Sequence, residues 1–405
     1  MLLWPPVWPC RRTCAVGRSR ASGSAMSYES SSLLDKVRIA DKLTRMRSNL
    51  IRLISSAIAV LAIGVVASPF AASPDLPPLS RSLPSTSAMP SLDAATGWIN
   101  SAPLAQADLR GKVVLVDFWT YSCINCLRTL PYVRAWAQKY RAAGLVVVGV
   151  HTPEFEFEQQ AANVQRAVSD LRIDYPVALD SRHAVWQAFG NRAWPALYFV
   201  DAQGRIRHRQ YGEGGYEDAE RLIQQLLKEA GRGQAVPTGL VAPQGDSTQA
   251  APSAVTAESG ETYVGFDRAS GFTSSDGALR HAREHTYAGA PSLRTNEWTL
   301  AGTWKVEDEF ALLRQPGGRI TYRFRARDLH LVLGSDNGQP VRFRVSIDGR
   351  PPGQDHGADT DAQGRGTVQS QRLYQLVRQA SPHAERTFEI EFLDPGVRAY
   401  AFTFG

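Results

Sequence analysis

Two cysteines, Cys123 and Cys126, stand in C-x-x-C spacing inside residues 113–131. Thiols one helical turn apart can run disulfide exchange: one attacks, and the other resolves the mixed disulfide that forms. Their surroundings suit that chemistry. The β-branched run of residues 113–116 leads through Asp117 into the aromatic pair Phe118-Trp119 and reads as a buried strand. After the cysteines, Leu127, Leu130, Val133, Trp136 and Ala137 recur at three- and four-residue intervals, a helical pattern. Cys123 therefore belongs at a helix N-terminus, where unpaired N–H groups and the helix dipole favour an anion. It is expected to titrate below the free-thiol value of about 8.5. A half zinc site would show the same spacing, but no second Cys pair or spaced His pair follows, and His151 is the nearby imidazole. No metal is expected. Two buried, inert cysteines are the remaining alternative.

The elements that must position the dithiol follow in order. Residues 145–150 read as a second buried strand, ending at His151-Thr152-Pro153-Glu154. Residues 156–171 suit an amphipathic helix with Phe157, Ala161, Val164, Val168 and Leu171 on one face. A short strand (176–179), a short helix (184–189), a third long strand (194–200), a returning strand (206–211) and a closing helix (216–230) complete the pattern. Alternating strands and helices with a final hairpin predict an α/β domain at 94–231, with a mostly parallel central sheet and helices on both faces. His151 and Glu154 fall at the carboxyl end of a parallel strand, where open α/β sheets place their sites; they could tune a thiol pKa, cap, or merely shape a loop. Trp119 and Trp194 flank the motif residues as candidate substrate-groove walls, with core packing as the alternative.

The net charge of +6 suggests nucleic acid until it is located. Residues 1–72 hold ten Lys/Arg against three acids, leaving 35 basic and 36 acidic residues in the remainder. A phosphate-binding fold would keep its basic stripe in the folded part, so nucleic acid is excluded. Residues 46–72 combine a basic start, an apolar run at 53–66 and a small-residue end, the parts of a secretory signal or a single-helix anchor. Met26 or Met46 is the expected start, and Cys10 and Cys14 are assigned no function. Residues 73–93 read as a Pro/Ser-rich tether and 232–258 as a linker. Beyond the leader, both cysteines lie in one motif, so an exported chain would be using them for exchange.

Residues 259–405 change character. Period-two segments at 298–306, 320–324, 329–333, 341–347, 388–392 and 399–403 alternate with turns such as Asp336-Asn337-Gly338 and Asp394-Pro395-Gly396. They predict an all-β sandwich domain. The arginines alternating with Tyr322, Phe324 and Phe343 read as a solvated face. The linker's composition predicts that the two domains fold independently.

Residues 94–231 resemble a thioredoxin fold of the exported TlpA-like group. The phrases at 118–131, 150–155 and 194–196 resemble the periplasmic domain of the DipZ family. Residues 324–331, 348–353, 373–377 and 400–405 resemble that family's C-terminal jelly-roll-like domain, which is similar to carbohydrate-binding modules. The resemblance implies Cys123 as nucleophile and Cys126 as resolving thiol. It implies Asp117 as the buried carboxylate beneath the second cysteine, with a solvated strand-end acid as the alternative. Pro195 would be the cis-proline lining the peptide groove, or else simply an edge-strand proline. DipZ proteins begin with a multi-helix membrane conduit. Beyond residues 53–72 nothing here could span a bilayer, so the expected electron donor is a separate membrane protein of the CcdA or DsbD type.

The resulting expectation is a periplasmic or otherwise extracytoplasmic thiol–disulfide oxidoreductase. It acts on protein thiols and disulfides, with no cofactor beyond the Cys123–Cys126 disulfide, and it works as a reductant because Ile124-Asn125 offers no cation to the thiolate. Two alternatives accompany it. One is a thiol peroxidase, since Thr120-x-x-Cys123 fits part of the peroxiredoxin motif while Val116 occupies its proline position. The other is a cell-wall glycan-binding protein with a secondary redox domain.

Overall fold

Seven strands form the sheet that carries the dithiol in the computed structural model, which describes residues 87–405 apart from 246, 254–256 and 382–383. The leader therefore lies outside the described residues. The strands are β1 (Ser87–Ala88), β2 (Gly97–Ile99), β3 (Val113–Trp119), β4 (Leu145–His151), β5 (Val177–Leu179), β6 (Ala196–Val200) and β7 (Arg205–Tyr211), in spatial order β1-β7-β6-β3-β4-β5-β2. Four helices accompany them: α1 (Ile124–Tyr140), α2 (Ala161–Asp170), α3 (Ala184–Phe189) and α4 (Tyr216–Leu227).

The sheet is mixed rather than mostly parallel. Only β3–β4 and β4–β5 pair parallel, because α1 and α2 supply the crossover that a parallel neighbour requires. After α3 the chain returns on the far side of β3, and β6 and β7 run antiparallel. Alternation of strands and helices in the sequence does not encode that choice of side. Part of the expected tether is also folded: β1 pairs with β7, and Met89 and Leu92 are buried beneath the sheet.

The single helix expected at 156–171 breaks in two, a 3-10 turn (Glu156–Gln159) and α2. The physical cause is Glu158, whose carboxylate turns back to accept the amide N–H groups of Glu154 and Phe155 at 2.7 and 3.2 Å. That geometry closes the turn and starts α2 afresh.

The second half is all-β as expected: one hydrogen-bonded, eleven-stranded antiparallel sheet whose inward side chains share one core. Its strands are β8 (Thr262–Tyr263), β9 (Glu284–Ala288), β10 (Trp298–Val306), β11 (Ala311–Leu313), β12 (Gly318–Arg325), β13 (Asp328–Ser335), β14 (Val341–Ile347), β15 (Arg365–Val368), β16 (Arg372–Arg378), β17 (Glu385–Phe392) and β18 (Val397–Phe404). Along β12, Ile320, Tyr322 and Phe324 point inward while Arg319, Arg323 and Arg325 alternate outward. Arg323 pairs there with Glu385, and Arg325 with Glu258, so the arginine face is solvated as expected.

The two halves are not held apart by a linker. They form one compact unit in which Phe155 and Phe157 pack on Tyr400, with ring centroids 5.2 and 4.8 Å apart. Val332, Leu373 and Ala401 extend the same cluster toward α1. Arg128 of α1 is buried with Asp328 of β13 at 3.5 Å and Glu213 at 3.3 Å. The Gly/Pro/Ser-rich connection itself lies on the first half: Val241 N–H donates to Glu220, and Gln249 accepts from Arg134 of α1.

Candidate active site

Strand β3 delivers the chain to the dithiol. Val113, Leu115, Asp117 and Trp119 share one face and Val114, Val116 and Phe118 the other, each packed into its own apolar cluster. Asp117 thus lies on the face that α1 covers. The chain turns at Thr120–Ser122, and Cys123 is the N-cap of α1, extended at φ −84° and ψ 116°. Its Sγ accepts the Cys126 N–H at 3.3 Å, one of the donors a helix start leaves free. Cys123 is partly buried and Cys126 fully buried.

Burial, with the neighbouring Cys123 sulfur, pushes the Cys126 thiol well above its ordinary pKa. Asp117 lies close enough to add to that shift. Its own carboxyl is 1% exposed and is pushed up by burial to about 7. Its Oδ1 has no hydrogen-bond partner among the described residues, and neither has the buried Tyr175 hydroxyl. Tyr175's phenol is pushed up by burial and by Asp117. A carboxyl whose pKa lies near neutral therefore sits beside the buried Cys126 thiol.

The Trp194–Pro195 peptide bond is cis. Trp194 is half-buried, its Nε1–H donates to the Thr152 carbonyl at 3.1 Å, and its ring packs on Trp186 at 4.3 Å. Trp194 and Cys123 line the same cleft, as does Glu154.

Two expected site residues lie elsewhere. Trp119 is fully buried against Gly149 and Tyr175, not on the groove. A Cβ on Gly149 would meet Trp119 Nε1 at 3.0 Å, so only glycine lets the indole lie that close to β4. Strand alternation puts Trp119 in the core once Asp117 faces α1. His151 is buried between Trp119 and Tyr121, and burial lowers its pKa to about 3. Neutral at physiological pH, it presents no positive charge to a thiolate. Glu154, in turn, faces the second half: it accepts from Tyr263 at 2.5 Å and pairs with Arg268 at 3.1 Å.

One residue at the site escaped the sequence reading. Glu158 accepts from the Ser122 amide and hydroxyl at 3.2 and 2.7 Å as well as from the Glu154–Phe155 amides. Burial raises its pKa to about 7. It ties the segment before Cys123 to the loop that meets the second half. Its signal was an acid within an aromatic run, Phe155-Glu156-Phe157-Glu158.

Comparison with known proteins bears on this geometry. The Redoxin family matches residues 84–225, and a family described as thioredoxin like C-terminal domain matches residues 259–405. The thiol-disulfide oxidoreductase YkuV of Bacillus subtilis is 32% identical over 141 residues, covering 35% of this chain and 95% of YkuV. The chain belongs to the thioredoxin-like thiol–disulfide oxidoreductases. Protein DipZ of Mycobacterium tuberculosis is 38% identical over 272 residues, which are 66% of this chain and 38% of DipZ. The matched part is thus well under half of that relative's length. A solution structure of a thioredoxin-like protein in the oxidized form aligns at 33% identity and a TM-score of 0.33, covering 35% of this chain and 96% of the other. In this chain Cys123 of the motif lines a cleft shared with Tyr263 and Phe404 of the second half.

Proposed function

We propose that this oxidoreductase reduces disulfides in extracytoplasmic partner proteins through Cys123 and Cys126. The observation that carries the reading is the placement of three groups: Cys123 at the N-terminus of α1 and lining the cleft, buried Cys126, and Asp117 close to Cys126. Cys123, as thiolate, attacks one sulfur of the partner disulfide. That S–S bond breaks, the departing sulfur takes a proton, and Cys123 is joined to the partner. Cys126 then gives its proton to Asp117 and attacks the Cys123 sulfur. The partner leaves with two thiols, and the two electrons have come from the dithiol, now a Cys123–Cys126 disulfide. Asp117 suits the base role because its buried carboxylate lacks a competing donor at Oδ1.

The direction rests on charge. A strongly oxidising dithiol needs a stabilised thiolate, and the cation lining the cleft, Arg268, is already paired with Glu154. The extracytoplasmic location and a membrane donor of the CcdA or DsbD type rest on residues 46–72 and on the DipZ resemblance. No helix of the described residues is long and apolar enough to cross a membrane. Thr120, on which the peroxidase alternative depends, is fully buried with its hydroxyl toward His151. Glycan binding by the second half has less support: Trp298 and Trp304 are buried, and exposed Phe266 is stacked on His281.

The test is a Cys126→Ser variant, expressed in full-length form and recovered by acid quench. Accumulation of disulfide-linked complexes through Cys123 is expected. Their absence, with Cys123 unmodified, would overturn the reading.

A further inference from the structure

We propose that the second half of the molecule supplies a specificity wall for the dithiol, in which Glu261 selects disulfides flanked by a positive charge. The inference rests on Cys123 being the attacking thiol. A cleft of about 400 Å³ opens beside Cys123, with Trp194 on one side and Gly260, Glu261, Tyr263 and Phe404 on the other. That volume lies in the range that encloses small ligands or a short chain segment. A flat protein face of roughly 800 Å² could not enter it. The fitting substrate is a disulfide carried by an extended segment.

The charges on the wall do not balance. Glu154 and Glu261 both lie against the Tyr263 hydroxyl, at 2.5 and 2.8 Å. A phenol has one hydrogen, so it can donate to only one carboxylate at a time. Arg268 lies over the Tyr263 ring at 3.6 Å and gives its Nη1 to Glu154. Glu154 therefore holds the cation, and Glu261 is left with a shared hydrogen. The lining holds two carboxylates and one guanidinium beside the attacking sulfur. A lysine, arginine or amino group next to the substrate cysteine would complete the set.

The experiment uses the pre-reduced full-length protein in single-turnover oxidation, with thiol loss followed by acid quench. The probes are disulfide-linked dimers of a short capped peptide with Lys, Ser or Glu flanking its cysteine. Each rate is divided by the same protein's rate with neutral hydroxyethyl disulfide. The wild-type protein is expected to favour the Lys peptide over the Glu peptide by about fivefold or more, the scale of one solvated charge pair at contact distance. Half-molar salt should shrink that ratio. Glu261→Gln, at a solvent-exposed position just before β8, should bring the ratio toward one, and Glu261→Lys should invert it. A ratio near one in the wild type, or one unmoved by Glu261→Gln and Glu261→Lys, would overturn the proposal. No reaction even with hydroxyethyl disulfide would instead overturn the dithiol reading, and this inference with it.

Discussion

The sulfur of Cys123 caps the helix that carries Cys126, accepting its amide N–H at 3.3 Å. The same contact separates the two thiols in character. One stands at the positive end of a helix and meets the cleft, and the other is buried one turn along.

That separation predicts unequal reactivity. At pH 7 the reduced protein should be alkylated by iodoacetamide first at Cys123, by at least tenfold, because Cys126 is buried and its thiol is pushed well above its ordinary pKa, whereas Cys123 meets the cleft. Peptide mapping of a time course checks this. Faster modification of Cys126 would reverse the assignment of nucleophile and resolving thiol.

The charge around the cleft predicts the redox potential. With Arg268, the cation that lines the cleft, occupied by Glu154, the disulfide form is favoured. Equilibration with glutathione or dithiothreitol should give a value nearer about −270 mV than about −120 mV. A value at the oxidising end would mean that electrons flow toward this protein's disulfide.

Asp117 predicts a pH dependence of stability. Its folded pKa of about 7 lies above the unfolded value, so between about pH 4 and 7 the folded state binds more protons than the unfolded one. Stability contributed by the neutral acid is present at low pH and is lost as pH rises toward 7. Asp117→Asn should therefore stabilise the reduced protein at pH 8 by about 2–4 kcal/mol, with much less gain at pH 4.5. It should also slow resolution of the mixed disulfide. Urea unfolding at the two pH values decides it; an equal gain at both would show that the charge on Asp117 is not the cause.

Glu158 predicts a positioning effect. Glu158→Gln keeps one acceptor oxygen but points an NH2 at N–H donors, leaving buried amides of Glu154, Phe155 or Ser122 unsatisfied. A loss of about 1–3 kcal/mol is expected, together with slower attack by Cys123. Glu158→Asp, which keeps the charge, should recover part of the rate. An unaltered urea midpoint would show that these bonds contribute nothing net.

The shared core predicts joint unfolding. Phe157 packs on Tyr400 across the two halves, so Phe157→Ala should cost about 3–5 kcal/mol. Urea curves from near-ultraviolet and far-ultraviolet circular dichroism should coincide in a single transition. Two separated transitions would restore the independent domains that the linker's composition predicted.

Much of the chemistry was legible along the chain because it is local. The C-x-x-C pair, the strand before it and the helix after it are set by neighbours within a few residues, and α3 and β14 fall on their predicted residues. The inward and outward sides of β12 follow from alternation alone. What depended on partners distant in sequence was decided by the tertiary fold. Trp119 left the groove because Gly149 of a neighbouring strand admits its indole. His151 lost its charge because aromatic residues enclose it. Glu158 broke a well-patterned helix because unpaired amides at Glu154, Phe155 and Ser122 needed an acceptor. Glu154 turned from the thiol to Tyr263 and Arg268, more than a hundred residues away. Periodicity records which side chains are apolar and how they alternate. Which buried polar group finds which partner is settled only when segments distant in sequence pack against one another.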